Sequence, residues 1–198
     1  MPAFAGQQLN IPNEQAANDN QHAENVRAIQ RWANLIPVTL IQNVVTTVAQ
    51  SSVTLTVPAN PAFQSLDLRI SAASASIQNL FLRFNGDSGN NYISTIISTN
   101  GTTVSTSTSG LSSFGTVGLC TDVGGTRVGF STATIQNPLA STYRNWVWQG
   151  WEPGTTSALY QSGGGTWIGT TPITSITITI NGGGNFTIGS VFNLHGAY

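Results

Sequence analysis

The chain has 198 residues, enough for one domain with a real core. Charged side chains are only 7% of it, against about a quarter in ordinary soluble proteins, and all six cations are arginine, with a net charge of −1. That balance excludes the basic footprint of a nucleic-acid binder and the polybasic cluster that holds a chain to an anionic membrane.

Residues 1–12 contain Pro2, Gly6 and Pro12 and little apolar periodicity, which reads as an extended arm. From Asn13 to Ile36 the pattern becomes helical. Asn13 or Asn20 is placed to cap it, and Pro37 pushes Ile36 out of the α region. Within it Val26, Ile29, Ala33 and Ile36 fall at 3, 4, 3 spacing, an a/d seam of about two heptads, and Glu24 can pair with Arg27. So short a seam is marginal alone in water. It either lies on the chain's own sandwich or associates with copies of itself, and its place after an arm and before the whole β region favours the second, with a trimer compatible with its β-branched residues. Residues 1–37 are therefore expected to be an attachment and oligomerisation segment, and 38–198 a β domain.

From Val38 onward short strands and turns follow one another: VTLIQNVVTTV, SVTLTV, SLDLRIS, NLFLRF, YISTIIS, TTVSTST, SFGTVGLC, RVGFSTATI, RNWVWQGW, SALYQ, TWIG, ITSITITI, NFTIGS and VFNLHG. Ten or more strands without helical interruption predict antiparallel sheets in a sandwich of jelly-roll type, preceded by the arm and one helix. No internal repeat suggests a propeller or fibre shaft. The clearest local unit is residues 77–97, read as a hairpin. Leu80, Leu82 and Phe84 alternate with Phe81 and Arg83, a polar turn runs from Asn85 to Asn91, and Tyr92, Ile93, Ile96 and Ile97 lead out. Gly86 and Gly89 can take positive φ, and Asn85, Asp87 and Asn90 can bond their own backbone. One carboxylate among amides is too little charge for a good calcium loop, so a self-bonded turn is expected at Asp87 rather than a metal. Gly163–Gly165 and Gly182–Gly184 lie between strands and read as hairpin turns, not phosphate loops.

In YRNWVWQGW, Trp146 and Trp148 share a face with Arg144, and Trp151 follows Gly150. Three tryptophans so close form either a platform for stacking on sugars or part of a sandwich core, the commoner fate of such residues. The rest of the chemistry is sparse. Cys120 is alone, which excludes an internal disulfide and suits a small buried residue better than a reactive thiol; with His22 and His195 it leaves no zinc spacing. There is no G-x-S-x-G elbow, and the candidate carboxylates Asp67, Asp87, Asp122 and Glu152 lie on different strands or turns. No catalytic residue, cofactor or metal ligand is assigned, and no enzyme is expected. The start lacks a signal peptide's basic and apolar regions, and no apolar run approaches 18 residues, so synthesis in a cytoplasm without membrane insertion is expected, and the N-x-T triplets at Asn100 and Asn185 read as chance.

Two stretches together, NLFLRFNGDSGNNY at 79–92 and TWIGTTPITSITITINGGGNFTIGSVFNLHG at 166–196, resemble a family of tailed-bacteriophage virion proteins. The shared features are a strand ending in L-R-F-N-G-D, a Gly/Asn turn and a Tyr, then I-T-S-I-T, G-N-F, G-S and a last short apolar strand. Here they are Leu82 to Asp87, Tyr92, Ile173 to Thr177, Gly184 to Phe186, Gly189, Ser190 and Leu194. The likeness covers roughly residues 52–198, and SLDLRISA also fits. His195 departs from the family's usual Tyr, and YRNWVWQGW is richer in Trp than its counterpart. The resemblance implies a jelly roll displayed on a phage particle. The leading expectation is a non-enzymatic structural protein of the virion, assembled in the host cytoplasm. It would be a trimeric capsid decoration or cement protein that docks through its arm and helix on other virion proteins, the major capsid protein first among them. The alternative is a short tail fibre or receptor-binding protein whose Trp146, Trp148 and Trp151 meet host surface glycans.

Overall fold

A computed structural model describes residues 38–59, 63–75, 78–120, 128–153 and 159–198. The expected helix, with Val26, Ile29, Ala33 and Ile36, lies outside these residues, as does Asp122. The described chain is almost all strand: β1 (Val38–Val45), β2 (Ser52–Thr56), β3 (Ser65–Ala72), β4 (Gln78–Phe84), β5 (Tyr92–Asn100), β6 (Thr103–Ser112), β7 (Gly115–Cys120), β8 (Gly129–Gln136), β9 (Arg144–Glu152), β10 (Leu159–Trp167), β11 (Ser175–Ile180) and β12 (Val191–Ala197). One sheet has eight strands in the order β1-β12-β3-β8-β9-β10-β5-β6, the other four in the order β2-β11-β4-β7, and every pairing is antiparallel.

The strands alternate in burial because side chains point to opposite faces every second residue. Leu80, Leu82 and Phe84 of β4 are fully buried, with Leu66, Leu68 and Ile70 of β3, Ile176 and Ile178 of β11, and Phe192 and Leu194 of β12. These inward rows from both sheets form one core, which gives a β-sandwich-like arrangement. Aromatic rings cross between the layers: Phe84 of the small sheet meets Trp146 of the large one edge-on at 5.8 Å, and Trp146 Nε1 donates to the Thr116 carbonyl of β7 at 2.9 Å. β7 is buried along its whole length and has no alternation.

Residues 77–97 do not form the expected hairpin. β4 pairs with β11 and β7 in the small sheet, whereas β5 pairs with β10 and β6 in the large one. The turn between them carries the chain from one layer to the other. A period of two records which side of a strand is apolar, and it is the same for partners in one sheet and for strands facing each other across a core. The link between the two ends is a side chain: Tyr92 Oη accepts from the Phe84 N–H at 2.9 Å.

Gly163–Gly165 are likewise not a turn. They lie in the middle of β10, whose run from Leu159 to Trp167 joins the end of SALYQ to the start of TWIG. A Cβ on Gly165 would stand 2.2 Å from Trp146 Cζ2, and one on Gly163 would stand 2.2 Å from the Thr95 carbonyl oxygen, so glycine makes room for an indole of β9 at the first and for the backbone of β5 at the second. Gly182 and Gly183, with φ of 79° and 78°, do form a turn, but not a hairpin, because β11 before it lies in the small sheet and β12 after it in the large one. NFTIGS contributes only an isolated bridge, Phe186 to Gln50.

Candidate functional site

The sequence candidates and the exposed rings direct attention to the turn at Asp87, the inner face of β9, and the outer face of the large sheet. The Asp87 turn begins with the Asp87 N–H bonded to the Phe84 carbonyl at 2.9 Å, with positive φ at both central residues, Asn85 (54°) and Gly86 (68°). Both oxygens of Asp87 are committed. Oδ1 accepts from the Gly89 N–H at 2.9 Å, and Oδ2 accepts from Asn91 Nδ2 at 2.9 Å and from Trp167 Nε1 at 2.7 Å. Partial burial pushes this carboxyl up, but the bonds from Trp167, Asn91 and Gly89 and the charge of Arg83 outweigh it and hold the group below its ordinary value. A carboxylate surrounded by three N–H donors is arranged to close a turn.

Asn85 does something its sequence context did not reveal. Rather than bonding its own turn, it reaches residues 171–175: Oδ1 accepts from the Thr174 and Ser175 N–H groups at 2.7 and 3.2 Å, and Nδ2 donates to the Pro172 carbonyl at 2.8 Å. The segment that contains FNGD is thus tied to the segment that contains ITSIT.

On β9, Arg144, Trp146 and Trp148 do share a face, and it points inward. Trp146 is 1% and Trp148 4% exposed, so neither offers a ring to a ligand. Arg144 is fully buried among carbonyls, donating to Pro138 (3.2 Å), Thr171 (2.7 Å) and Ala140, with its guanidinium 5.9 Å from the centre of the Trp167 ring. A platform made of Trp146, Trp148 and Trp151 together does not form, because residue 151 has the opposite parity to 146 and 148. Trp151 is 47% exposed on the outer face.

That outer face was not anticipated as a unit. Strand register sets Phe130 of β8 opposite Trp151 of β9, and Trp151 opposite Tyr160 of β10. The three rings are all exposed and line a groove of about 240 Å³ together with Gln149. One residue pair along the strands runs a polar row: Asn193, Arg69, Thr132, Gln149 and Ser162, each opposite the next. Thr132, Gln149 and Ser162 line a second groove of about 290 Å³ that also reaches Thr134 and Val147. The only sequence signal for this face was the parity of Trp151. Phe130 and Tyr160 join it through pairing between strands distant in sequence.

The remaining candidates scatter. Asp67 lies on the outer face of β3, where it accepts from Thr134 Oγ1 at 2.7 Å, and sits opposite His195 of β12 in the register. β12 has a neighbour on each side, so His195 is inside the sheet and not at an edge. Glu152 is buried at the end of β9. Cys120 is buried beside Ser74 Oγ and the Gln78 carbonyl, each at 3.4 Å, and burial pushes its thiol up, away from the thiolate a nucleophile needs. Among the described residues no three His, Cys, Asp or Glu side chains gather as a metal site.

Comparisons with family profiles, with curated proteins and with solved structures found no match to this chain. The class that fold and site define is an antiparallel, β-sandwich-like domain with an exposed aromatic row on its larger sheet.

Proposed function

We propose that the chain is a non-enzymatic structural protein of a tailed-bacteriophage virion: a jelly roll displayed on the particle, trimeric, and docked through residues 1–37 as a capsid decoration or cement protein. The observation that carries the reading is the order of strand pairing. β1 pairs with β12, β2 with β11, β3 with β8 and β4 with β7, and these pairs fall alternately in the large and small sheets. That order supports a long antiparallel ladder rolled on itself, the way a jelly roll is built. The strands β5–β6 and β9–β10 enter as insertions, and together extend the large sheet beside β8.

The Asn85 tie supports the resemblance from another direction. The two stretches on which it rests, 79–92 and 166–196, hold each other at one end of the domain. Contact with other virion proteins is supported by β6, whose ten residues are almost all exposed and whose outer edge pairs with no described strand. Its sequence has neither charge nor proline, the devices with which solitary proteins blunt an edge.

The test is truncation. Removing residues 1–36 should leave a folded β domain that sediments as a monomer and is no longer incorporated into particles. A trimer that survives this deletion sinks the role given to the helix.

The second reading, a short tail fibre or receptor-binding protein, is favoured by the row of Phe130, Trp151 and Tyr160. Where on the particle the protein resides separates the two.

A further inference from the structure

We infer that the outer face of the large sheet binds an uncharged oligosaccharide, laid across β8, β9 and β10 on Phe130, Trp151 and Tyr160 and held laterally by Gln149, Thr132 and Ser162. The inference is independent of where the protein sits on a particle.

Three observations on the face carry it. The first is the alignment of the aromatic residues. Phe130, Trp151 and Tyr160 stand directly opposite one another on three adjacent strands, so their exposed side chains form one continuous row across β8, β9 and β10. Such rings offer flat apolar faces, which match the C–H faces of a sugar and do not match a peptide side chain better than any other apolar surface.

The second is the partner row. One register step away, Thr132, Gln149 and Ser162 present hydroxyl and amide groups, which can both donate and accept. Hydroxyl groups around a sugar ring require that mixture. Gln149 lines both grooves, so a ligand stacked on Trp151 would be within reach of it.

The third is charge. Arg69 and Asp67 are the ionised side chains of the adjoining rows among the described residues, opposite in sign, and Asp67 already accepts from Thr134. With one charge of each sign among the described residues of these rows, the face favours a neutral ligand over a phosphate-bearing or acidic one. The grooves, about 240 and 290 Å³, fall below the roughly 300–1,000 Å³ of pockets that enclose a drug-sized molecule, and suit a chain lying along an open surface.

The test is calorimetric titration of the full chain with cellohexaose, maltohexaose and chitohexaose, each at millimolar concentrations, with sedimentation velocity run alongside. The expected result is saturable binding of at least one, weakened about tenfold or more by Trp151→Ala and largely retained by Trp151→Phe. Because the Trp151 ring is half-exposed, both variants should melt with the parent, which separates lost binding from lost folding. Gln149→Ala should weaken the same sugar without touching the rings. The inference is overturned if none of the three sugars binds, if binding survives both Trp151→Ala and Gln149→Ala, or if sedimentation shows that the Trp151 face closes a dimer. Any of these leaves the particle location untouched.

Discussion

Replacing Asp87 by Ala would remove a single acceptor group on which three donors converge. Two of them, Gly89 N and Asn91 Nδ2, belong to the turn and can turn to water. The third, Trp167 Nε1, belongs to an indole only 2% exposed and packed against Phe84 and Tyr92, so it loses a partner at 2.7 Å with little access to solvent. A charge-assisted bond of this kind contributes about 1.5–3 kcal/mol, and the two turn bonds add less because water competes for them, so the total loss should be about 2–4 kcal/mol. For a domain of this size that lowers the melting temperature by about 4–16 °C. Asp87→Asn should fall between parent and Ala, since its amide nitrogen must face one of the N–H donors. Urea titration with tryptophan fluorescence and far-UV dichroism reads the change. A loss below about 0.5 kcal/mol in Asp87→Ala, the range of an ordinary surface substitution, would refute the reasoning that the carboxylate closes the turn.

Further outcomes follow from the same structure. Since the Asp87 carboxyl titrates below its ordinary value of 3.8 when folded, its contribution is complete above that value and is lost as pH falls through the lowered one. The stability gap between parent and Asp87→Asn should thus be flat at neutral pH and narrow only below about pH 4, as acid titration monitored by dichroism would read; a gap that widens on acidification contradicts the sign. Trp146→Ala should cost about 3–5 kcal/mol, whereas Trp151→Ala should cost less than about 1 kcal/mol in the same melts. Gly165→Ala places a methyl 2.2 Å from Trp146 and 2.6 Å from the Ile93 carbonyl oxygen, and should cost at least about 1–3 kcal/mol by chemical denaturation. On the proposed role of residues 1–37, which lie outside the described residues, Val26→Asp together with Ile29→Asp should convert a trimer to monomers in sedimentation without lowering the melting point of the β domain.

Much of the strand content was legible because it is local. The alternation of Leu80, Leu82 and Phe84, and of Trp146 and Trp148, marks strands with one buried side whatever they pair with. The identity of the partner strand is not local, and this is why residues 77–97 read as a hairpin while the chain in fact changes sheet at Asn85. The triple glycine misled for a related reason. Glycine serves both turns and close approach, and only the presence of Trp146 on the neighbouring strand tells which applies at Gly165.

The aromatic face was half legible. Counting by twos from Arg144 puts Trp151 on the side of Val147 and Gln149, away from Trp146 and Trp148, and that parity was available in the sequence. Phe130 and Tyr160 were not, since their place beside Trp151 depends on the register of β8 and β10 against β9. The same holds for Asn85, whose side chain bonds residues nearly ninety positions further on.

Gold-labelled antibody raised against residues 38–198, applied to intact particles, tests the proposal that this chain is a surface component of a virion. Label spread evenly over the head is the predicted result. Label confined to the tail or its tip would transfer the assignment to receptor binding, and particles that carry no label at all would contradict it.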